Sequence, residues 1–382
     1  MGLAEISGMP EPERFLRDYW QQQPVLIRQA FADFRCPISM DEVAGLALEE
    51  SVESRLVRGS DKVGWDLAHG PFDEATLTGL PERDWTLLVQ DVDKLLPELA
   101  PVLDRFTFLP RWRLDDLMIS IAADGGSVGA HRDRYDVFLL QAEGRRRWLI
   151  DSQPNSDLED ETGGPLRLLR DFRTSDDLLL EPGDMLYLPP GIPHHGIADG
   201  NCQTWSIGFR GPKPADLLAE LFQCLVERCP DQVLGDHLQQ PAPGTVDLDP
   251  ASLTALRNTL RATMQADDAL LDHCIAAALG APRGGRDSAL DDVAAIPDPL
   301  PPNAQLERNP ATRFLRLPEV RDLLYVNGEA WTVDPACRAL IETLTVQRRL
   351  QVSDLHLERH GEAGRKLLTR LLEGGHWWIL DD

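Results

Sequence analysis

Two short stretches of this 382-residue chain carry residue types that bind transition metals. One is His131-Arg132-Asp133; the other runs from Gly183 through Pro189-Pro190-Gly191 to His194. Together they offer two imidazoles and one carboxylate. That donor set covers one face of an octahedral ion and leaves adjacent positions open, the arrangement of non-haem Fe(II) oxygenases, which bring a cosubstrate and O2 to one ion. Side chains alternate along a strand, so His131 and Asp133 share a face and Arg132 takes the other. The third ligand must then come from a distant strand. Gly183 permits the turn into that strand, Pro189 and Gly191 shape the next turn, and His194 arrives at its end. His195 faces the opposite way and is expected behind the ligands or at the rim. The alternative is that these groups are polar residues satisfied inside a barrel.

An oxygenase of this kind that uses 2-oxoglutarate also needs a cation for the distal carboxylate, and a guanidinium fork meets a carboxylate bidentately. Arg145-Arg146-Arg147-Trp148-Leu149-Ile150 offers three candidates on one strand. Alternation puts Arg146 on the face of Trp148 and Ile150, where a buried cation is costly unless it meets an anion. Arg146 is therefore the expected cosubstrate anchor, with a structural ion pair to a core carboxylate as the alternative. Ser120, on the strand before a glycine-rich turn, is expected to donate to the same carboxylate. The loop from Asp124 to Ala130 has no following Lys-Ser/Thr and opens no helix, so it is not a phosphate loop. Asp124 and Tyr135 are expected near the mouth, holding a cationic substrate side chain; solvent exposure or local turn bonding is the alternative for both.

The elements that must position these groups are mostly strands. Residues 11–20 read as an amphipathic helix and 24–28 as a strand. Runs at 51–57, 85–89, 117–121, 137–140, 146–150, 178–180, 185–188 and 204–209 read as further strands, interrupted by one helix over 92–103. Many short strands broken by turns predict a mainly β sandwich or barrel. Helical periodicity follows at 215–228 and from Pro250 to about Leu279, with a Pro-containing linker at 238–250. Its apolar stripe serves either self-association or an intramolecular layer. Residues 280–310 read as a linker. Beyond it come a strand at 314–317, a hairpin around Asn327-Gly328, a helix capped by Asp334-Pro335, helices at 352–359 and 363–372, and a strand at 376–380. That order predicts a winged-helix-like α+β unit without a basic recognition helix. The expected organisation is a catalytic domain over 1–212, a helical region over 213–282, a linker over 283–310 and a C-terminal domain over 311–382.

Hydrophobic content of 42% and charged content of 26% fit a globular chain. No apolar run reaches the ~18 residues of a membrane span. The N-terminus has no basic segment followed by an apolar one, so a secretory signal is not expected and the location expected is cytoplasmic. Cys36, Cys202, Cys224, Cys229, Cys274 and Cys337 form no CxxC pair, and free thiols are expected. The formal net charge of −25 argues against direct nucleic-acid binding. It suits either simple solubility or attraction of a cationic partner.

The stretch Gly183–His194 resembles the second cupin motif. More specifically, the chain resembles the JmjC-type bacterial ribosomal oxygenases through Asp115-Asp116-Leu117-Met118-Ile119-Ser120, Tyr135-Asp136-Val137-Phe138, Gly144-Arg145-Arg146-Arg147-Trp148 and Ser206-Ile207-Gly208-Phe209-Arg210, with a weaker match at Pro37-Ile38-Ser39. The resemblance implies a JmjC/cupin double-stranded β-helix barrel, a helical dimerisation region giving a homodimer, and a winged-helix C-terminal domain. By position it implies iron on His131, Asp133 and His194, 2-oxoglutarate on Ser120 and Arg146, O2 as second cosubstrate, and a basic ribosomal protein as substrate. The activity implied is β-hydroxylation of an arginine of ribosomal protein sixteen of the large subunit. His195 stands where better-known members carry an acidic residue, and the glycine loop also differs, so side-chain preference is open. A histidyl hydroxylase, a lysine demethylase and a non-enzymatic metal-binding cupin are the competing readings.

Overall fold

Alternating apolar residues and frequent turns build eleven strands from the first part of the chain. The computed structural model describes residues 3–152, 164–231, 249–282 and 296–380. They fall into two compact units, one reaching Gly211 and one beginning at Pro212. In the first, the strands are β1 (Ala4–Ser7), β2 (Val25–Arg28), β3 (Ser54–Ser60), β4 (Gly64–His69), β5 (Trp85–Val89), β6 (Leu114–Ala122), β7 (His131–Arg132), β8 (Asp136–Ile150), β9 (Asp176–Leu180), β10 (Met185–Leu188) and β11 (Pro193–Phe209). They join in one sheet ordered β1-β2-β10-β8-β11-β6-β5-β3-β4, with β7 added on β11 and β9 on β8.

Two long strands turn this sheet into a double-layered framework. The first half of β8 pairs with β10 and its second half with β9, while β11 follows it along the other edge. β11 in turn pairs with β7 near its start and with β6 beyond Cys202. The ladder slips between Asp199 and Gln203, and bulges of this kind bend and twist a strand. Opposite the slip lies Gly144 at φ +62°, where an added Cβ would collide with the Asn201 carbonyl and no L side chain is accommodated. The expectation of separate strands at 137–140 and 146–150 is corrected accordingly: they are one bent strand, as are the stretches bearing His194 and Thr204.

Alternation divides β8 between two environments. Phe138 and Leu140 enter a core with Phe15, Tyr187, Trp205 and Ile207, while Val137, Leu139, Trp148 and Ile150 pack with Leu26, Leu180, Leu186 and Leu188 on the other face. The helices here are α1 (Pro12–Asp18), α2 (Met40–Leu46), α3 (Glu74–Thr78), α4 (Val92–Leu95) and α5 (Ala100–Leu103). The single helix expected over 92–103 is broken by a 3-10 turn at Pro97–Leu99, since Pro97 supplies no N–H to an α-helical ladder. The α2 helix, absent from the sequence reading, opens on a capping box between Ser39 and Glu42.

The second unit contains α6 (Pro214–Glu227), α7 (Pro250–Thr263) and α8 (Asp268–Gly280). Of the long helix or helix pair expected from Pro250 to about Leu279, the structure has the pair, because Asp267 caps a new start by accepting the Leu270 N–H at 2.8 Å. Buried Cys224, Leu225, Leu270 and Cys274 join α6 to α8. Further on come β12 (Gln305–Arg308), β13 (Phe314–Leu315), β14 (Leu323–Val326), β15 (Glu329–Thr332), α9 (Arg338–Val346), β16 (Arg349–Gln351), α10 (Gly361–Glu373) and β17 (Trp377–Leu380). The β14–β15 hairpin turns on Asn327 (φ +50°) and Gly328 (φ +86°), as its Asn-Gly pair requires. The linker expected over 280–310 is corrected within its described part: β12 is the central strand between β16 and β17. Residues 283–295 of that expected linker, and most of the one at 238–250, lie outside the described residues. The helix expected at 352–359 is a pair of 3-10 turns parted by His356 in the left-handed region. No helix among the described residues is long and apolar enough to cross a membrane.

Candidate active site

β7 and the start of β11 pair directly, with Arg132 opposite Pro193 and His131 opposite His194. That pairing joins the two sequence motifs. His131, Asp133 and His194 each present one donor atom, and the three atoms lie within 4.8 Å of one another. The ring centroids of the two histidines are 4.3 Å apart, and His194 Nε2 is 3.6 Å from Asp133 Oδ2. The rings are oriented by backbone. His131 Nδ1 lies 2.9 Å from the Gly129 carbonyl and His194 Nδ1 lies 2.9 Å from the Ile192 carbonyl. A carbonyl only accepts, so each Nδ1 carries the proton and each Nε2 keeps a lone pair for a metal. Burial, with His131 alongside, pulls the His194 pKa down to about 4, so the ring is neutral at ordinary pH as a ligand must be. Donor identity, tautomer and convergence all fit a divalent first-row ion.

These ligands open onto a cavity of about 620 Å³ that is also lined by Ser120, Tyr135, Arg146 and Trp148. Arg146 is 3% exposed, while Arg145 and Arg147 sit on the outer face in ion pairs with Asp199 and Asp177. Among the described residues Arg146 meets no carboxylate: its Nη1 donates to Ser120 Oγ at 3.2 Å and to Thr204 Oγ1 at 3.4 Å, and its buried Nε has no partner there. Burial lowers its pKa, yet a guanidinium stays charged. A desolvated cation with unused donors beside a cavity fits the distal carboxylate of a dicarboxylic keto acid. Gly196 leaves space for this arrangement: a Cβ there would come within 2.7 Å of the Trp148 ring and 3.0 Å of Arg146 Nε.

Among the expected substrate residues, Tyr135 lines the cavity, with the Arg210 guanidinium over its ring at 5.2 Å. Asp124 does not line it, and that expectation is corrected. Asp124 pairs with Arg83 at 2.7 Å and accepts the Gly200 N–H at 2.9 Å, so it ties the loop to the β11 bend. His195 is buried and packs across Phe172, with ring centroids 6.2 Å apart, outside the three-residue cluster. The sequence reading missed Asp115 and Asp116, which line the cavity and are each 8% exposed. Arg210 Nε meets Asp115 at 2.5 Å. Asp116 accepts from Gln90 Nε2 at 2.5 Å and has no ion pair among the described residues. Counting back in twos along β6 from Ser120 reaches Met118 and Asp116, so alternation held the signal.

The fold and site define a class. Residues 101–217 match the family described as the JmjC domain. Over 382 aligned residues the chain is 34% identical to the "Probable ribosomal oxygenase" of Haemophilus influenzae, covering 97% of this chain and 88% of that protein. It is 41% identical over 228 residues to the "Ribosomal protein uL16 3-hydroxylase" of Escherichia coli, an alignment spanning 59% of each. The solved structure of YcfD, a ribosomal oxygenase from Escherichia coli in complex with cobalt and 2-oxoglutarate, superposes with a TM-score of 0.77 at 32% identity, covering 98% of this chain and 99% of that one. The chain belongs to the JmjC-domain ribosomal oxygenases.

Proposed function

We propose that this protein is an Fe(II)- and 2-oxoglutarate-dependent oxygenase that hydroxylates the β-carbon of an arginine in ribosomal protein uL16. The observation that carries this reading is one cavity holding His131, Asp133 and His194 beside Arg146, which has no carboxylate partner among the described residues, with carboxylates on a further wall. An iron(II) ion on the three ligands supplies O2 activation coupled to decarboxylation of 2-oxoglutarate. The protein's own part is placement. Arg146 and Ser120 take the distal carboxylate, which fixes the keto acid end near the ligands. Tyr135, Met118 and Val137 form the apolar walls that keep water from the reacting carbon. Asp116 receives the substrate guanidinium, since Asp115 is committed to Arg210. The E. coli relative, a ribosomal protein uL16 3-hydroxylase, supports uL16 and position 3, and the net charge of −25 suits a basic partner. The test is anaerobic loading with Fe(II), addition of 2-oxoglutarate and a uL16 peptide, then air and mass spectrometry. A one-oxygen gain on arginine supports the reading; a gain on histidine, or formaldehyde from methyl-lysine, replaces it with a sister activity.

Asp116 gives the arginine reading a pH signature. Burial, followed by its neighbours Asp115, Asp91 and Asp93, raises its pKa to about 7 against a smaller opposing pull from Lys94, and Arg55 and Arg210 also line this cavity. Below that pH Asp116 is neutral and loses its hold on a cation, while arginine remains charged. We expect kcat/KM for an arginine peptide to fall about tenfold per pH unit below ~7 and to level off above it. Asp116→Asn should cost ~30- to 100-fold at pH 8 and abolish that acidic limb. Rate profiles at saturating 2-oxoglutarate check this; an Asn variant that keeps the slope removes Asp116 from the substrate seat.

Leu218, Phe222 and Val226 on α6, with Leu256, Leu260 and Met264 on and just after α7, are exposed. We read these exposed apolar positions on the two helices as the self-association surface of a homodimer, supported by their apolar character on an otherwise charged chain. Light scattering should give twice the chain mass, and Phe222→Glu should halve it.

A further inference from the structure

We infer, resting on the cosubstrate role proposed for Arg146, that Gln141 is a positioning residue which sets the binding geometry of the 2-oxoglutarate anchor through Thr204. Gln141 is fully buried in β8 and lines no part of the cavity. Its Nε2 donates to the Glu143 carbonyl at 2.9 Å and to the Gln203 carbonyl at 3.3 Å. Both contacts require donors, so the amide has only one workable orientation, with Oε1 as acceptor. Oε1 lies 3.0 Å from Thr204 Oγ1 and takes its proton. A hydroxyl has a single proton. With that proton spent, Thr204 turns a lone pair to Arg146 Nη1 at 3.4 Å. Ser120 is polarised in the same sense: its hydroxyl donates to the Thr204 carbonyl at 3.2 Å and accepts from Nη1 at 3.2 Å.

One guanidinium nitrogen is thus held between two hydroxyl oxygens whose protons are committed elsewhere. The planar fork is fixed from that side, and its remaining donors are left for an anion in the cavity. Without Gln141 the Thr204 hydroxyl loses the acceptor that fixes its proton, so its lone pair is no longer held on the line to Nη1. Hydrogen bonds in such a chain polarise one another, so removing the first weakens those that follow. Gln141 touches neither cosubstrate nor metal, so its effect should fall on cosubstrate affinity, not on the chemical step.

The experiment compares wild type, Gln141→Met, Thr204→Val, Thr204→Ser and the Met/Val double variant. The affinity of Co(II)-loaded protein for 2-oxoglutarate is measured by calorimetry, and KM and kcat are measured with Fe(II). Gln141→Met and Thr204→Val should each weaken 2-oxoglutarate binding by about 5- to 20-fold, raise its KM in parallel and leave kcat within about twofold. Thr204→Ser should restore wild-type affinity. The double variant should be no weaker than Thr204→Val alone, because both substitutions cut one chain. Unchanged affinity in Gln141→Met, or effects that add fully, would overturn the inference. If Gln141→Met does not fold, the Val and Ser pair decides: a folded Thr204→Val with wild-type affinity overturns it, as does a Ser variant that fails to restore. Wild-type protein that binds no 2-oxoglutarate refutes the cosubstrate role itself, a result distinct from any difference among the variants.

Discussion

Replacing Asp133 by Asn should leave a folded protein that retains almost no metal and turns over at least ~10³-fold more slowly. Asp133 supplies the one anionic donor in a cluster whose other two members are neutral imidazoles. Groups that merely support a metal ligand typically change affinity or activity by about 10- to 100-fold, and a direct ligand carries more. An amide oxygen keeps the shape but not the charge that favours a divalent ion. The fold should tolerate the change, because the Asp133 side chain is only partly buried and its backbone carbonyl, which accepts the Gly191 N–H at 2.7 Å, is untouched. Metal content per chain after dialysis, read beside the melting temperature of the metal-free protein, separates loss of the site from loss of the fold. An Asn variant with wild-type metal stoichiometry would remove Asp133 from the ligand set.

The parts of this site that were legible in the sequence are those governed by strand alternation. His131 and Asp133 converge with His194 because each motif lies on an extended segment with a turn of fixed length. Arg146 could be chosen over Arg145 and Arg147 because inward and outward positions differ by one residue, and the outer pair does find Asp199 and Asp177. The same rule, run backwards from Ser120 along β6, reaches Asp116, so the sequence carries that position too. Asp124 failed for another reason: a glycine-rich loop has no fixed periodicity, and Arg83 and the Gly200 amide drew the carboxylate away from the mouth.

Long-range pairing hid the remaining features of the fold. Gln305-Leu306-Glu307-Arg308 has one apolar residue and reads as a linker, yet it is a central strand whose Glu307 is paired with Arg349 at 2.7 Å. For β12, tertiary partners override local propensity. The bend of β11, by contrast, has a local signal of its own, since Gly200 stands inside the slip at φ +79°. The consequence for function is direct, because the bend places Arg146, from the second half of β8, against Ser120 and Thr204, which face each other across β6 and β11.

Arg146→Met should weaken 2-oxoglutarate binding drastically while making the cosubstrate-free protein no less stable. The two outcomes have a common origin. In the absence of an anion, Arg146 is a buried charge offset, among the described residues, by two neutral hydroxyls and the Trp148 ring at 5.5 Å. Replacing it with an apolar side chain of similar reach removes that desolvation burden and keeps the stem packed near Trp148. The melting temperature of the apo-protein should therefore hold or rise. When the dicarboxylate is present the balance reverses, since the variant lacks the partner of a desolvated carboxylate. Truncating one side of a buried charge pair costs ~2–5 kcal/mol, or about 30- to 5000-fold in affinity. Arg146→Lys should fall between, as a point charge cannot reproduce the fork. Metal binding should be unaffected, which separates this variant from Asp133→Asn. Thermal melts with and without 2-oxoglutarate read both effects at once: wild type gains stability with the ligand and the Met variant does not. A Met variant that melts far below wild type without ligand would mean that Arg146 is a structural cation; one still stabilised by 2-oxoglutarate would place the distal carboxylate elsewhere in the cavity.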